Sequence, residues 1–209
     1  MSPLDTASSQ HKAATSASML ERAADIEEVL QLHPVIASIK SEADAKAVLQ
    51  TQCPVVFVLF GSILTIPTIV KTLKEAGKTV FVDLDLVEGF SSKTVTIDFL
   101  QANTALDGIL STKAMMVKYA KSKQLASIHR IFLVDSFSYH NLPKQLSISG
   151  ADAVEILPGC MPRVISWIKE DITLPVIAGG LVCDKQDVLN ALDAGAIAIA
   201  SSNRDVWQM

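Results

Sequence analysis

The sequence predicts an α/β fold, a small (β/α)8 barrel of parallel strands preceded by a flexible or helical N-terminal extension. Three observations carry that expectation: short apolar runs alternating with amphipathic stretches, a glycine repeated at helix-to-strand junctions, and a length that suits one domain. The runs are almost continuously apolar, as expected of strands covered by helices on a parallel sheet. Cores divide only beyond roughly 250–300 residues, so the 209 residues here predict a single core.

Residues 1–18 are rich in Ser, Thr and Ala and poor in large apolar side chains, too little to offset the entropy of ordering. They are read as a tail. Met19, Leu20, Ala23, Ile26, Val29 and Leu30 then recur at helical spacing, with Glu21, Arg22, Asp25, Glu27 and Glu28 opposite, which predicts a docking helix from Met19 to Leu32. The extension is therefore 1–32, disordered and then helical, and the barrel 33–209.

Strands are expected at Pro34 to Ile39, Val55 to Phe60, Thr79 to Leu86, Asp107 to Ser111, Ser127 to Val134, Ala153 to Leu157, Pro175 to Ala178 and Ala196 to Ala200. Helical stripes lie between them, among them Ile66, Ile69, Val70 and Leu73; Val164, Ile165 and Ile168; Val188, Leu189 and Leu192. Gly77, Gly150 and Gly195 each stand just before a strand, where glycine supplies a left-handed helix cap. An open doubly wound sheet is the competing arrangement. Ser38-Ile39-Lys40-Ser41 follows the first strand in place of a glycine-rich turn and counts against it.

Composition narrows the function classes. A net charge of −4 argues against a uniformly basic nucleic-acid binder, so any RNA contact must be local. Cys53, Cys160 and Cys183 show neither disulfide nor zinc spacing, and His11, His33, His129 and His140 form no close pair. With no apolar run near the ~18–20 residues of a membrane span and no secretory signal, a cytoplasmic protein without a membrane partner is expected. No nucleophile elbow, HExxH or P-loop occurs, so no catalytic residue and no metal ligand is assigned.

Barrel sites form at the carboxyl ends of the strands. Gly179 and Gly180 follow the seventh strand, and Ser201, Ser202 and Asn203 follow the eighth. Such glycines let backbone amides approach an anion and the hydroxyl and amide side chains add donors, which makes a phosphate cup. Asp83 and Asp85 alternate with apolar residues and are expected on one face, suited to bind a divalent cation, to hydrogen-bond a polyol or to act as acid and base, unless one of them simply anchors a lysine across the barrel. Lys113, Arg130 and Glu155 complete a candidate polar network; only one of His129 and Arg130 can face the interior. Basic residues at loops and helix starts, Lys93, Lys113, Arg163, Lys185 and Arg204, lie toward the same end.

Several motifs in order resemble a known family: Val58-Leu59-Phe60-Gly61, KTVFVDLDLVEG from Lys78 to Gly89, DGILSTK from Asp107 to Lys113, RIFLVD from Arg130 to Asp135, EILPGCMP from Glu155 to Pro162, and AGGL from Ala178 to Leu181. From about His33 to Trp207 the chain is similar to the glycerol 3-phosphate responsive antiterminators of bacterial glycerol operons. The resemblance implies a (β/α)8 barrel that takes glycerol 3-phosphate as effector, without a cofactor and without turnover. It further implies action on leader mRNA, so that transcription passes a terminator. The phosphate would rest on Gly179, Gly180, Ser201 and Ser202, and Lys93, Arg163, Lys185 and Arg204 become candidate RNA contacts. Where that family suggests a threonine-rich end after the eighth strand, this chain has Ser201-Ser202-Asn203. The alternative is an enzyme of aldolase, isomerase or phosphodiesterase type acting on a small phosphorylated substrate through Lys113 or the Asp83/Asp85 pair. Self-association into a homo-oligomer is compatible with either reading.

Overall fold

Strand and helix alternate until the sheet closes on itself. The computed structural model describes residues 26–209, and its eight strands form a closed barrel in chain order, every neighbouring pair parallel. The first half runs β1 (Val35–Ile39), α1 (Glu42–Val48), β2 (Val55–Val58), α2 (Ile66–Glu75), β3 (Thr79–Asp83), α3 (Val95–Asn103), β4 (Gly108–Ser111) and α4 (Ala114–Ser122). The second half runs β5 (Ala126–Phe132), α5 (Ser136–Ser149), β6 (Ala153–Leu157), α6 (Pro162–Asp171), β7 (Val176–Gly179), α7 (Lys185–Asp193) and β8 (Ala198–Ser201), and a short 3-10 turn, Val206–Gln208, closes the chain. Gly77, Gly150 and Gly195 all have positive φ, as the junction pattern requires.

Several strands stop earlier than the apolar runs suggest, because polar side chains capture the backbone. At β3 the Asp83 carboxylate accepts from Asp85 N at 2.8 Å, a local turn that takes the chain out of the sheet before Leu86. At β5, Ser138 Oγ accepts from Val134 N and Asp135 N, and Asp135 caps Ser138 N in return; the start of α5 thus claims Val134. On α7, Val188 is buried and Leu192 packs against the core as expected, whereas Leu189 points out and Ala191 takes its place on the buried face.

Helices pack over the outer face of the strands, and a separate apolar cluster fills the interior. Residues 26–32 are helical, and Ile26 and Leu30 join that interior cluster with Ile36, Phe57, Phe81 and Leu110. This segment therefore caps the amino-terminal end of the barrel. The remainder of the expected helix, 19–25, and the tail at 1–18 lie outside the described residues. Phe57 and Phe81 meet edge to face with centroids 5.6 Å apart, and Gly108 gives Phe81 its room: a Cβ there would lie 2.5 Å from the Phe81 ring and 2.4 Å from the Ala126 carbonyl oxygen.

Two stability measurements follow. Gly108→Ala forces a methyl group against backbone and should cost about 1–3 kcal/mol, lowering the thermal midpoint by several degrees. Leu30→Ala should cost about 2–5 kcal/mol in a denaturant melt, a loss that a dispensable extension would not cause.

Candidate functional site

Alternation along β5 sends its two basic side chains opposite ways. His129 turns outward, its Nδ1 3.1 Å from Ser149 Oγ and its Nε2 3.4 Å from the Thr112 carbonyl oxygen, and burial pushes its pKa down. Arg130 turns inward. Its Nε donates to Glu155 Oε2 at 2.6 Å and its Nη1 donates to Asp83 Oδ2. All three side chains are buried, at 7% exposure for Arg130, 1% for Asp83 and 2% for Glu155. Two carboxylates around one guanidinium leave an excess negative charge, and burial raises Asp83 to about 6 despite the Arg130 charge beside it.

Asp83 and Asp85 do not act as a pair on one face, because the strand ends at Asp83 and the following turn redirects Asp85. Asp85 instead accepts from Lys113 Nζ at 2.7 Å, Thr112 N at 2.6 Å and Ser111 Oγ at 3.1 Å. Burial pushes the Asp85 carboxyl up, but Lys113 and Thr112 outweigh it and hold it below the usual range. Lys113 and Asp85 thus tie the loops after β3 and β4 together, apart from the cavity at the barrel mouth.

That cavity has a volume of about 440 Å³, and Arg130, Glu155, Gly180, Ser201, Ser202 and Asn203 are among its lining residues. Gly179 lies beneath it: a Cβ there would sit 2.4 Å from Glu155 Oε1, so glycine is what admits the carboxylate. Gly180 takes φ +71°, a backbone state that glycine adopts at little cost. The loops after β7 and β8 brace each other. Ser201 Oγ donates to Val182 O at 2.6 Å and accepts from Asn203 N at 3.1 Å, while Asn203 Nδ2 donates to Cys183 O at 2.6 Å. Both side chains therefore hold the cup's shape as well as line it, whereas Ser202 is exposed.

Sequence reasoning takes Ser38-Ile39-Lys40-Ser41 only as the absence of a glycine-rich turn, yet Lys40 lines the cavity. Its position directly after β1 obeys the same strand-end rule that selects Lys113. Neighbouring Asp44 accepts from Lys40 N at 3.1 Å and from Arg204 Nε and Nη2 at 3.0 and 2.7 Å. Arg204 is thereby engaged in joining the first and eighth loops. Apolar residues complete the rim, among them Leu86, Phe132, Leu157 and Leu181. Lys93, Arg163 and Lys185 are exposed, and Arg163 stacks over the Trp167 ring at 5.0 Å. Among the described residues no cluster of His, Cys, Asp or Glu could hold a metal ion, and no helix is long and apolar enough to cross a membrane.

The ion triad makes its own prediction. Because the folded pKa of Asp83 lies above its unfolded value, the folded state keeps the proton longer, and this group's contribution to stability falls as pH rises from about 4 to about 6. Arg130→Ala should cost about 3–5 kcal/mol at neutral pH, since it strands two buried carboxylates. Part of that loss should return at pH 5 as they take up protons, which urea melts at both pH values would measure.

A family model described as glycerol-3-phosphate responsive antiterminator matches residues 35–207, which spans the whole barrel. Among curated proteins, YgcP of Escherichia coli (strain K12), named as uncharacterized, is 48% identical over 181 residues, covering 87% of this chain and 95% of that protein. The crystal structure of a glycerol uptake operon antiterminator regulatory protein from Listeria monocytogenes superposes with a TM-score of 0.80 at 29% identity, covering 83% of this chain and 94% of that one. A glycerol uptake operon antiterminator-related protein from Thermotoga maritima gives 0.75 at 32% identity, covering 84% and 98%. A barrel built on those same motifs, matched along its length, belongs to the glycerol-3-phosphate responsive antiterminators, a regulatory family.

Proposed function

We propose that this chain binds glycerol 3-phosphate in the cavity at the carboxyl end of the barrel and, so loaded, acts on leader mRNA of glycerol-use genes as an antiterminator. The observation that carries this reading is the polarity of the cavity. Its lining brings Gly180, Ser202, Asn203 and Lys40 together with the Arg130–Glu155 pair. In this reading the first set receives the phosphate, with Gly179 and Ser201 shaping the cup behind it, and the second receives the hydroxyls. Asp83 holds Arg130 from below, and Asp85 with Lys113 steadies the rim. The effector is the sole small molecule the reading requires, and a cytoplasmic location follows from an RNA target.

The enzyme alternative has less to rest on. The lysine that the enzyme reading names, Lys113, has its Nζ engaged by Asp85 at 2.7 Å and does not line the cavity. Asp83 and Asp85 are likewise committed to Arg130 and Lys113. Among the described residues this leaves no carboxylate pair poised for acid and base work.

Calorimetry decides whether the cavity is used. Glycerol 3-phosphate should bind with 1:1 stoichiometry, while glycerol and inorganic phosphate should each bind far more weakly, because each fills half of the polar surface. Lys40→Ala should weaken glycerol 3-phosphate binding about ten- to a hundredfold, the range for losing a hydrogen bond to a charged group. Equal binding of the effector by wild type and variant would remove Lys40 from the site.

A further inference from the structure

Antitermination requires a surface for RNA, and the exposed rings of this barrel are gathered in one place. Among the described residues the exposed Phe and Trp side chains are Phe132, Phe137 and Trp167, at 53%, 77% and 42% exposure. All three belong to the fifth and sixth strand-helix units. On α5, Phe137, His140 and Lys144 are exposed and follow the three-then-four spacing of one helix face. Tyr139 turns toward α6, its ring centroid 5.3 Å from that of His140 and 6.2 Å from that of Trp167, and its hydroxyl donates to Asp171 at 2.6 Å. Arg163 then lies over the Trp167 ring. His140, Tyr139 and Trp167 thus meet edge to face, at interplanar angles of 73° and 74°, across two helices, with Arg163 over one end of the row.

The charges beside this run are mixed, and two of the cations are unpaired. Arg163 and Lys144 have no carboxylate partner among the described residues. Asp135 caps α5 and Asp171 accepts from Tyr139, but both keep their negative charge and, with Glu170, offset Arg163 and Lys144, so recognition here rests on stacking more than on net charge. Aromatic faces interleaved with cations recognise single-stranded nucleic acid, whose bases are free to stack; a duplex keeps those faces hidden. Phe132, at the end of the strand that leads into α5, lines the cavity proposed for the effector and is half exposed.

We propose that the face from Phe132 through Phe137 to Trp167 and Arg163 is a stacking platform for single-stranded RNA. This rests on the regulatory reading above and adds the surface to it. Effector seated against Phe132 bears directly on the edge of the platform.

The two tryptophans of the chain provide the test. Trp207 is buried, at 2% exposure, with its indole N–H donating to Ser201 O at 2.7 Å, so a fluorescence change on adding RNA reports on Trp167. The probe is RNA enriched from a randomised pool on the full chain in the presence of glycerol 3-phosphate. Saturable quenching is expected with this RNA and not with the same sequence annealed to its complement. Trp167→Ala and Phe137→Ala should each weaken RNA binding about tenfold or more, the scale of one lost base stack, while calorimetry with glycerol 3-phosphate stays unchanged. Arg163→Gln, which leaves the rings in place, should lower the slope of log affinity against log salt by ~0.7. Undiminished RNA affinity in all three variants overturns the platform and leaves the regulatory reading standing. Variants that lose self-association on a sizing column yet keep full RNA affinity make the patch a contact between copies and overturn it as well. Failure of wild type to enrich any RNA overturns both.

Discussion

Taking Arg130 out of water costs several kcal/mol unless its charge is answered, and Asp83 and Glu155 carry the same burden. The three answer one another across β3, β5 and β6, and much of the barrel mouth is arranged around that necessity. Gly179 cannot carry a side chain without striking Glu155. Gly159 in the sixth loop is constrained similarly, since a Cβ there would lie 2.8 Å from the backbone of β7. Its N–H donates to Gly180 O at 2.9 Å. Glycines in the EILPGCMP and AGGL motifs therefore serve close backbone approach around the ion cluster as much as any ligand.

Above that floor, the loops are held by side chains that sequence reading takes for ligands. Ser201 and Asn203 join the seventh and eighth loops, and Arg204 with Asp44 joins the eighth to the first. Beneath them Trp207 donates to the Ser201 carbonyl. Donors already pinned in this way lose little freedom when a ligand arrives, which is the physical meaning of a preorganised site. The barrel is accordingly asymmetric along its axis. Its amino-terminal end is closed by Ile26 and Leu30 in an apolar cluster, and its carboxyl end carries the buried Arg130–Asp83–Glu155 cluster. Apolar closure and the buried ion cluster occupy opposite ends of one sheet.

Much of this was legible in the chain. Short, almost continuously apolar runs and three junction glycines determined the strand-helix alternation, and with the length they favoured a closed barrel over an open sheet, because such patterns are local consequences of backbone sterics and burial. Inward placement of Arg130 against outward His129 was reduced to a choice of one by side-chain alternation along a strand. Motif order determined the family.

Tertiary structure decided what depends on partners distant in sequence. It separated Asp83 from Asp85 because a side-chain turn ends β3 three residues before the expected strand does, a competition between local and ladder hydrogen bonds that composition does not rank. Lys40 became a cavity residue only when β1 closed against β8. The rings of α5 and α6 came together through helix packing, with Tyr139 on one helix and Trp167 on the other. Sequence specifies which groups exist and how they alternate; closure of the sheet specifies which of them meet, because charge pairing and stacking act over ångströms in space and not over residues along the chain.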